Sequence, residues 1–414
     1  MDFTLDDVRF LQSAAGERLL ERLRTDDLSD ANALRLMTVL RKDYGAREAA
    51  VAVEMARLRL QAAEKFGADA ARLLFTRAAL EQASDPLIRR WRADLTSDYA
   101  RVYDACCGIG SDSLAFAGAY PLREGGVLGL DIDPVRVKMA RHNAAQLGYP
   151  ARFEVSDVTT EPRLLMVGER DMIFFDPGRR DADGGRIFDV ERYQPPVSTL
   201  LKWSNPGLIA VKLSPGVKLD QLRNYWWGYV TFCSVSGDLK EAVLWLEHGF
   251  SGGEDLWCKA VLFDQGRVYT WTNHEAIDYP NLPPSAARAY VCEPDPALIR
   301  AGFVRSIAAK YGGALLDDTI AYFTCETLPT HPYLRSWAKA WRVQAWMPFN
   351  VKRLRDYCRA HGIGGVTVKK RGTAVTPEVI IPQLKLRGDQ RATLILTRDR
   401  GMPAAIICDE MPVN

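Results

Sequence analysis

Over the first 95 positions, apolar residues recur every three to four places. Leu34, Leu36, Met37 and Leu40, then Val51, Met55 and Leu58, fall on one face of a helical turn. The stretch 31–66 that carries them is rich in Ala, Leu, Arg, Met and Glu, all good helix formers. Gly45 predicts a break or kink inside it. Ser84-Asp85-Pro86 predicts another helix start, a capping side chain followed by Pro in the first turn. The helix that follows sets Arg89, Arg90 and Arg92 around Trp91. Residues 1–95 therefore read as a helical N-terminal domain.

From Tyr99 the period changes. Short apolar runs at 101–104, 127–131, 152–155 and 172–175 alternate with helix-like stretches or short connections, and further runs follow at 208–213, 229–235 and 242–246. This alternation predicts a parallel, doubly wound α/β sheet over 96–250. Only Ser236-Gly237-Asp238 and the few residues after it separate the last two runs, which predicts an antiparallel pair at the sheet edge. Ser251-Gly252-Gly253 reads as a linker. Beyond it, 251–414 reads as an α+β domain. It has a hairpin of 257–263 and 267–272 around Asp264-Gln265-Gly266, helices over 296–311 and 351–361, and strands over 366–370, 378–381, 392–397 and 404–408.

Composition narrows the class. With 414 residues, 47% of them hydrophobic and 26% charged, the chain is long enough for two to three globular domains and is not a disordered one. No run of eighteen apolar residues occurs, so no membrane helix is expected. The acidic start Met1-Asp2-Phe3-Thr4-Leu5-Asp6-Asp7 lacks the basic and apolar regions of a secretory signal. Eight cysteines without a C-x-x-C spacing support neither a disulfide scaffold nor a zinc ribbon. Apart from His142, the histidines (248, 274, 331 and 361) are scattered, so no metal site is expected. These features predict a cytoplasmic protein with reduced thiols.

The net charge of +2 conceals an asymmetry. Arg335 to Arg400 holds fifteen Lys and Arg against four acids, a local excess of eleven. That excess suits a polyanionic partner, with a solvated basic face as the alternative. Lys352, Arg353, Arg355, Lys369, Lys370 and Arg371 are the candidate phosphate contacts, and the Arg89–Arg92 cluster would extend their track. Trp337, Trp341 and Trp346 suit base stacking or, better, a core.

The chemistry concentrates at strand ends. Asp104-Ala105-Cys106-Cys107-Gly108-Ile109-Gly110-Ser111-Asp112 follows a strand and opens a helix. Ser113 stands where a dinucleotide fingerprint needs its third glycine, which argues against NAD. Asp131 ends the second strand, where a carboxylate accepts ribose hydroxyls. Asp157 follows the third and Asp176 the fourth. Open α/β sheets bind ligands at these carboxyl ends.

These segments resemble the first motifs of class I S-adenosylmethionine methyltransferases, with Cys106 in place of the usual first glycine. Asp104–Asp112, with 129–135 and 140–144, looks like the trimethylguanosine-synthase branch of RNA methyltransferases, over roughly residues 100–180. The whole chain resembles bacterial class I methyltransferases that end in a THUMP-like domain. There an acidic-Pro-x-Arg-Arg element and a basic element like Gly365 to Gly372 recur. The resemblance implies a Rossmann-like methyltransferase sheet with an N-terminal helical domain and a C-terminal α+β THUMP-like domain. It implies S-adenosylmethionine as cofactor and structured RNA, tRNA or rRNA, as substrate. On that basis Asp104, Cys106, Gly108, Gly110, Asp131, Asp157 and Asp176 are expected at the cofactor.

The acceptor atom stays open. Enzymes that methylate amines commonly carry Asn/Asp-Pro-Pro-aromatic after the fourth strand, whereas this chain has Asp176-Pro177-Gly178-Arg179-Arg180. Arg179 and Arg180 suit a phosphate clamp or base stacking, or else a structural loop paired with Asp181 or Asp183. No cysteine near the fourth or fifth strand suits C5 methylation of a pyrimidine. A ribose 2′-O reading takes Asp176, Lys212 and Glu241 as the last three members of a Lys-Asp-Lys-Glu set, with Arg77 or Arg90 in the first place. Its alternative is a plain Lys212–Glu241 ion pair. Two other classes remain: a non-catalytic RNA-binding protein that retains the cofactor fold, and a methyltransferase acting on protein or small molecules.

Overall fold

The computed structural model describes residues 1–119, 125–180, 184–185, 187–203, 206–225, 227–247, 257–272 and 283–413. The linker triplet 251–253, Asp181, Asp183, His248 and His274 lie outside the described residues.

Helices Leu5–Leu11, Ala14–Leu23, Ala33–Leu40, Ala46–Phe66, Arg77–Gln82 and Pro86–Leu95 account for the N-terminal periodicity. The first opens on a capping box, in which Thr4 and Asp7 each accept the other's backbone N–H. The expected break falls at Gly45, which caps the 46–66 helix through Glu48. Asp85 caps the last helix ahead of Pro86, as its sequence predicts.

Seven strands follow: β1 (Arg101–Ala105), β2 (Gly126–Asp131), β3 (Ala151–Val155), β4 (Asp171–Phe175), β5 (Leu208–Leu213), β6 (Gly228–Val235) and β7 (Asp238–Glu247). The order β3-β2-β1-β4-β5-β7 builds the doubly wound sheet, parallel from β3 to β5. The antiparallel neighbour of β5 is β7, from Leu208 opposite Glu247 to Leu213 opposite Ala242. The strand order reverses beside β1, where open α/β sheets form their ligand crevice.

The chain divides into two compact units, 1–229 with 240–256, and 230–239 with 257–414. The helices before residue 95 and the sheet after it fall in the first unit and share a core. Leu11, Leu40, Met55 and Phe75 pack in one cluster with Ile109 of the glycine turn and Met139 of the Pro134–Leu147 helix. Asn143 closes the seam. Its carboxamide accepts the Leu74 N–H at 2.8 Å and donates to the carbonyls of Leu74 at 3.0 Å and Ile109 at 3.2 Å. Buried polar groups need such partners.

The second unit begins with β6 beside the hairpin of β8 (Trp257–Asp264) and β9 (Arg267–Thr272). Its seven further strands are β10 (Tyr290–Pro294), β11 (Ala314–Leu315), β12 (Phe323–Cys325), β13 (Ala338–Pro348), β14 (Ile363–Lys370), β15 (Gln390–Asp399) and β16 (Met402–Cys408). They run in the order β11-β12-β10-β13-β16-β15-β14. Two expectations change here. The stretch 296–311 is two helices, Pro296–Arg300 and Val304–Lys310, with Gly302 in the left-handed region between them. The predicted strand 378–381 lies in helix Pro377–Leu384, because Ile380 and Leu384 bury one turn apart against the 351–360 helix and the sheet. Of the three tryptophans, Trp337 and the β13 residue Trp341 are core, while Trp346, also on β13, is partly exposed.

Candidate functional site

A cavity of about 730 Å³ opens at the carboxyl ends of β1, β2 and β4. The turn after β1 forms its floor. Cys106, Gly108 and Gly110 all have positive φ, at 68°, 55° and 84°. Cys106 thus takes the left-handed form that ordinarily selects glycine. At Gly110 the requirement is also steric, since a Cβ there would lie 2.9 Å from the Phe153 ring. The Cys106 thiol lines the cavity, and burial, then the Asp131 and Asp176 carboxylates, push its pKa well up, so it is no thiolate nucleophile.

Asp131 is buried beneath the turn. One carboxylate oxygen accepts the Gly108 N–H at 2.9 Å and the other the Asp133 N–H at 2.9 Å, so the acid fixes the floor and still has lone pairs toward the cavity it lines. Asp157 lies on the rim, exposed, where the Thr159 hydroxyl at 2.7 Å and N–H at 2.9 Å hold its pKa low. Asp176 also lines the cavity, and one of its oxygens takes the Lys212 ammonium at 2.9 Å. The ammonium donates as well to the Gln82 carbonyl at 2.9 Å, and Lys65 donates to the carbonyls of Leu80, Glu81 and Ala83. Two lysines thus cap the C-terminal end of helix 77–82, and Gln82 and Ala83 become one cavity wall.

Several expected residues sit elsewhere. Asp104 lies behind the turn, outside the lining, and accepts the Ser113 hydroxyl. Burial first and Asp112 next push its pKa up to about 8. Glu241 does not line the cavity; Arg92, itself wholly buried, holds it at 2.7 Å and holds Asp112 at 2.7 Å. Burial would raise Asp112, but Arg92, Lys212 and Arg89 keep it low. No Lys212–Glu241 pair forms among the described residues, since Lys212 pairs with Asp176 while Arg92 serves both Glu241 and Asp112. Arg92 and Arg89 are consequently interior groups and extend no surface track. Arg77 pairs with Glu54 and Arg90 with Asp94, and neither lines the cavity.

Arg179 donates to the Leu213 carbonyl at 2.9 Å and lies 3.7 Å from Asp176, a structural role inside the loop. Arg180 lines the cavity and pairs with Glu81 at 2.9 Å. In the second unit Lys352, Arg353 and Lys370 are exposed, while Arg355 donates to the Gln383 carbonyl. Lys369 and Arg371 both bind Glu293 and lie over Trp341 and Tyr322. His331 caps a short helix and His361 stacks on Tyr357. Among the described residues no three acids, histidines or cysteines cluster as a metal site, and no helix is long and apolar enough to cross a membrane.

The sequence reading missed Gln82 and Ala83, and also Tyr193, Gln194, Pro195 and Pro196, all of which line the cavity. They enter through long-range hydrogen bonds, which leave no local signal.

Known proteins resemble the chain in three ways. A family model described as THUMP domain-like matches residues 338–410, and one for a domain of unknown function matches 4–62. An uncharacterized S-adenosylmethionine-dependent methyltransferase of Mycobacterium tuberculosis, in strains CDC 1551 / Oshkosh and ATCC 25618 / H37Rv, is 34% identical over 354 residues, covering 84% of this chain and 92% of the relative. A crystal structure of a candidate methyltransferase from Porphyromonas gingivalis W83 superposes with a TM-score of 0.75 at 17% identity, over 99% of this chain and 100% of that one.

Proposed function

The chain belongs to the S-adenosylmethionine-dependent methyltransferases, and from that premise we propose that it methylates structured RNA, tRNA or rRNA. The observation that carries the site is the convergence of Asp131, Asp157 and Asp176 on the cavity over the Cys106–Gly110 turn.

The residues present fit the cofactor. At Gly108 a Cβ would meet nothing within 4 Å, so the backbone there is open to close approach. Asp131 holds the ribose hydroxyls and Asp157 the adenine amino group, both as acceptors for N–H or O–H donors. When bound, S-adenosylmethionine supplies an electrophilic methyl group. The chain's own task is to align an acceptor and take up its proton. Asp176 would serve both: Lys212 fixes one of its oxygens at 2.9 Å, and the other, 3.7 Å from Arg179, would take the N–H or O–H of the acceptor.

The RNA reading rests on the exposed Lys352, Arg353 and Lys370 within the region matched as THUMP domain-like, since exposed cations supply phosphate contacts. Nucleoside mass spectrometry of total RNA from cells with and without the gene tests it. Loss of one methylated nucleoside is expected, and identical nucleoside profiles would reject RNA as substrate.

A further inference from the structure

After β4 the chain lacks the second proline and the aromatic of an amine-methylating loop, yet the fold brings both types back from elsewhere. Gly178 and Gln194 exchange two backbone hydrogen bonds, N–H to carbonyl at 2.8 Å and 2.9 Å. This bridge sets Tyr193-Gln194-Pro195-Pro196 alongside Asp176-Pro177-Gly178, and Tyr193, Gln194, both prolines, Gly178 and Asp176 line one cavity. The segment is anchored. Tyr193 is buried, its phenolic oxygen accepts the Ser214 N–H at 3.2 Å, and its pKa is raised by burial first, with Asp176 adding to it.

Gln194 is different from its neighbours. It is exposed, and its carboxamide has no hydrogen-bond partner among the described residues. A carboxamide offers one acceptor and one donor side by side in a plane, the complement of a base edge that carries a donor next to an acceptor. Ribose chemistry has less support here, because Arg92 holds Glu241 and Lys212 donates to Asp176 and Gln82.

We infer that residues 193–196 form the acceptor wall and that Gln194 reads the edge of a nucleobase whose N–H nitrogen is methylated. This rests on the methyltransferase reading of the same site. The nitrogen lone pair forms the bond to the methyl carbon, the carbon–sulfur pair of electrons goes to sulfur, and the N–H proton passes to the Asp176 carboxylate. Pro195 and Pro196 supply apolar surface against the ring.

The test uses the full chain and binding rather than turnover. S-adenosylhomocysteine is titrated calorimetrically into wild type, Gln194→Ala and Gln194→Glu. The four nucleoside 5′-monophosphates are then titrated into each saturated protein. Wild type is expected to prefer one base. Gln194→Ala should lower that affinity about tenfold, with S-adenosylhomocysteine affinity and melting temperature unchanged. Gln194→Glu, which exchanges the amide donor for a second acceptor, should change which base is preferred. Unchanged affinity and preference in both variants would overturn the inference and leave the cofactor site standing. Failure of wild type to bind S-adenosylhomocysteine would overturn both. A 2′-O-methylated product from the natural RNA would overturn the base assignment alone.

Discussion

The Lys212 ammonium lies 2.9 Å from an Asp176 carboxylate oxygen. The same nitrogen holds the Gln82 carbonyl at 2.9 Å, so one buried side chain ties the end of β4 to the helix that walls the cavity. Lys212→Met removes both links. It should destabilise the protein by about 3 kcal/mol, the usual scale for breaking a buried pair, and lower methyl transfer at least ~100-fold while S-adenosylhomocysteine still binds. Denaturant melts and radiolabelled methyl transfer read the two effects separately.

Asp131→Ala removes the proposed ribose acceptor and the partner of two backbone N–H groups. Charge-assisted hydrogen bonds contribute about 1.5–3 kcal/mol each. S-adenosylhomocysteine affinity should fall about 100-fold by calorimetry, and wild-type affinity in the variant would remove Asp131 from the cofactor site.

Asp104 predicts a pH dependence with a definite sign. Its carboxyl titrates near 3.8 when unfolded and about 8 when folded. Between those values the folded chain keeps a proton that the unfolded chain has released. Its contribution to stability is therefore complete below about 3.8 and declines as pH rises toward about 8, by up to ~1.4 kcal/mol per unit. Asp104→Asn should flatten that part of the profile in denaturant melts from pH 5 to pH 8.

Cys106 holds a left-handed backbone at φ 68°. Cys106→Gly releases strain worth about 1–2 kcal/mol, offset in part by the greater freedom of glycine in the unfolded chain. A net gain of about 1 kcal/mol in unfolding free energy is expected, and a loss would show that thiol packing outweighs the backbone.

The exposed cations predict salt sensitivity. RNA affinity should fall steeply with added salt, and Lys352→Ala with Arg353→Ala should reduce the log–log slope by about 2. Filter binding across a salt series measures it. The same change at Lys369 and Arg371 should instead lower the melting temperature, because Glu293 loses its partners.

The sheet was legible because its strands are buried and read as short apolar runs ending in acids. Asp131, which ends β2, and Asp176, which follows β4, stand out for that reason. The acceptor wall was not legible, because Gln194 reaches Asp176 only through the Gly178 bridge. Nor was the fate of Glu241, whose cation lies 149 positions away at Arg92. At 378–381 the β-branched run Val379-Ile380-Ile381 favours a strand locally, and packing of Ile380 and Leu384 overrides it.

Asn143 hydrogen-bonds to Leu74 and Ile109 at once, and this limits how the protein can be cut. A truncation after residue 95 would strand that amide and bare the apolar underside of the glycine turn, so the catalytic half is not a portable cassette. Any chimera or minimal version must bring its own leading helices with it.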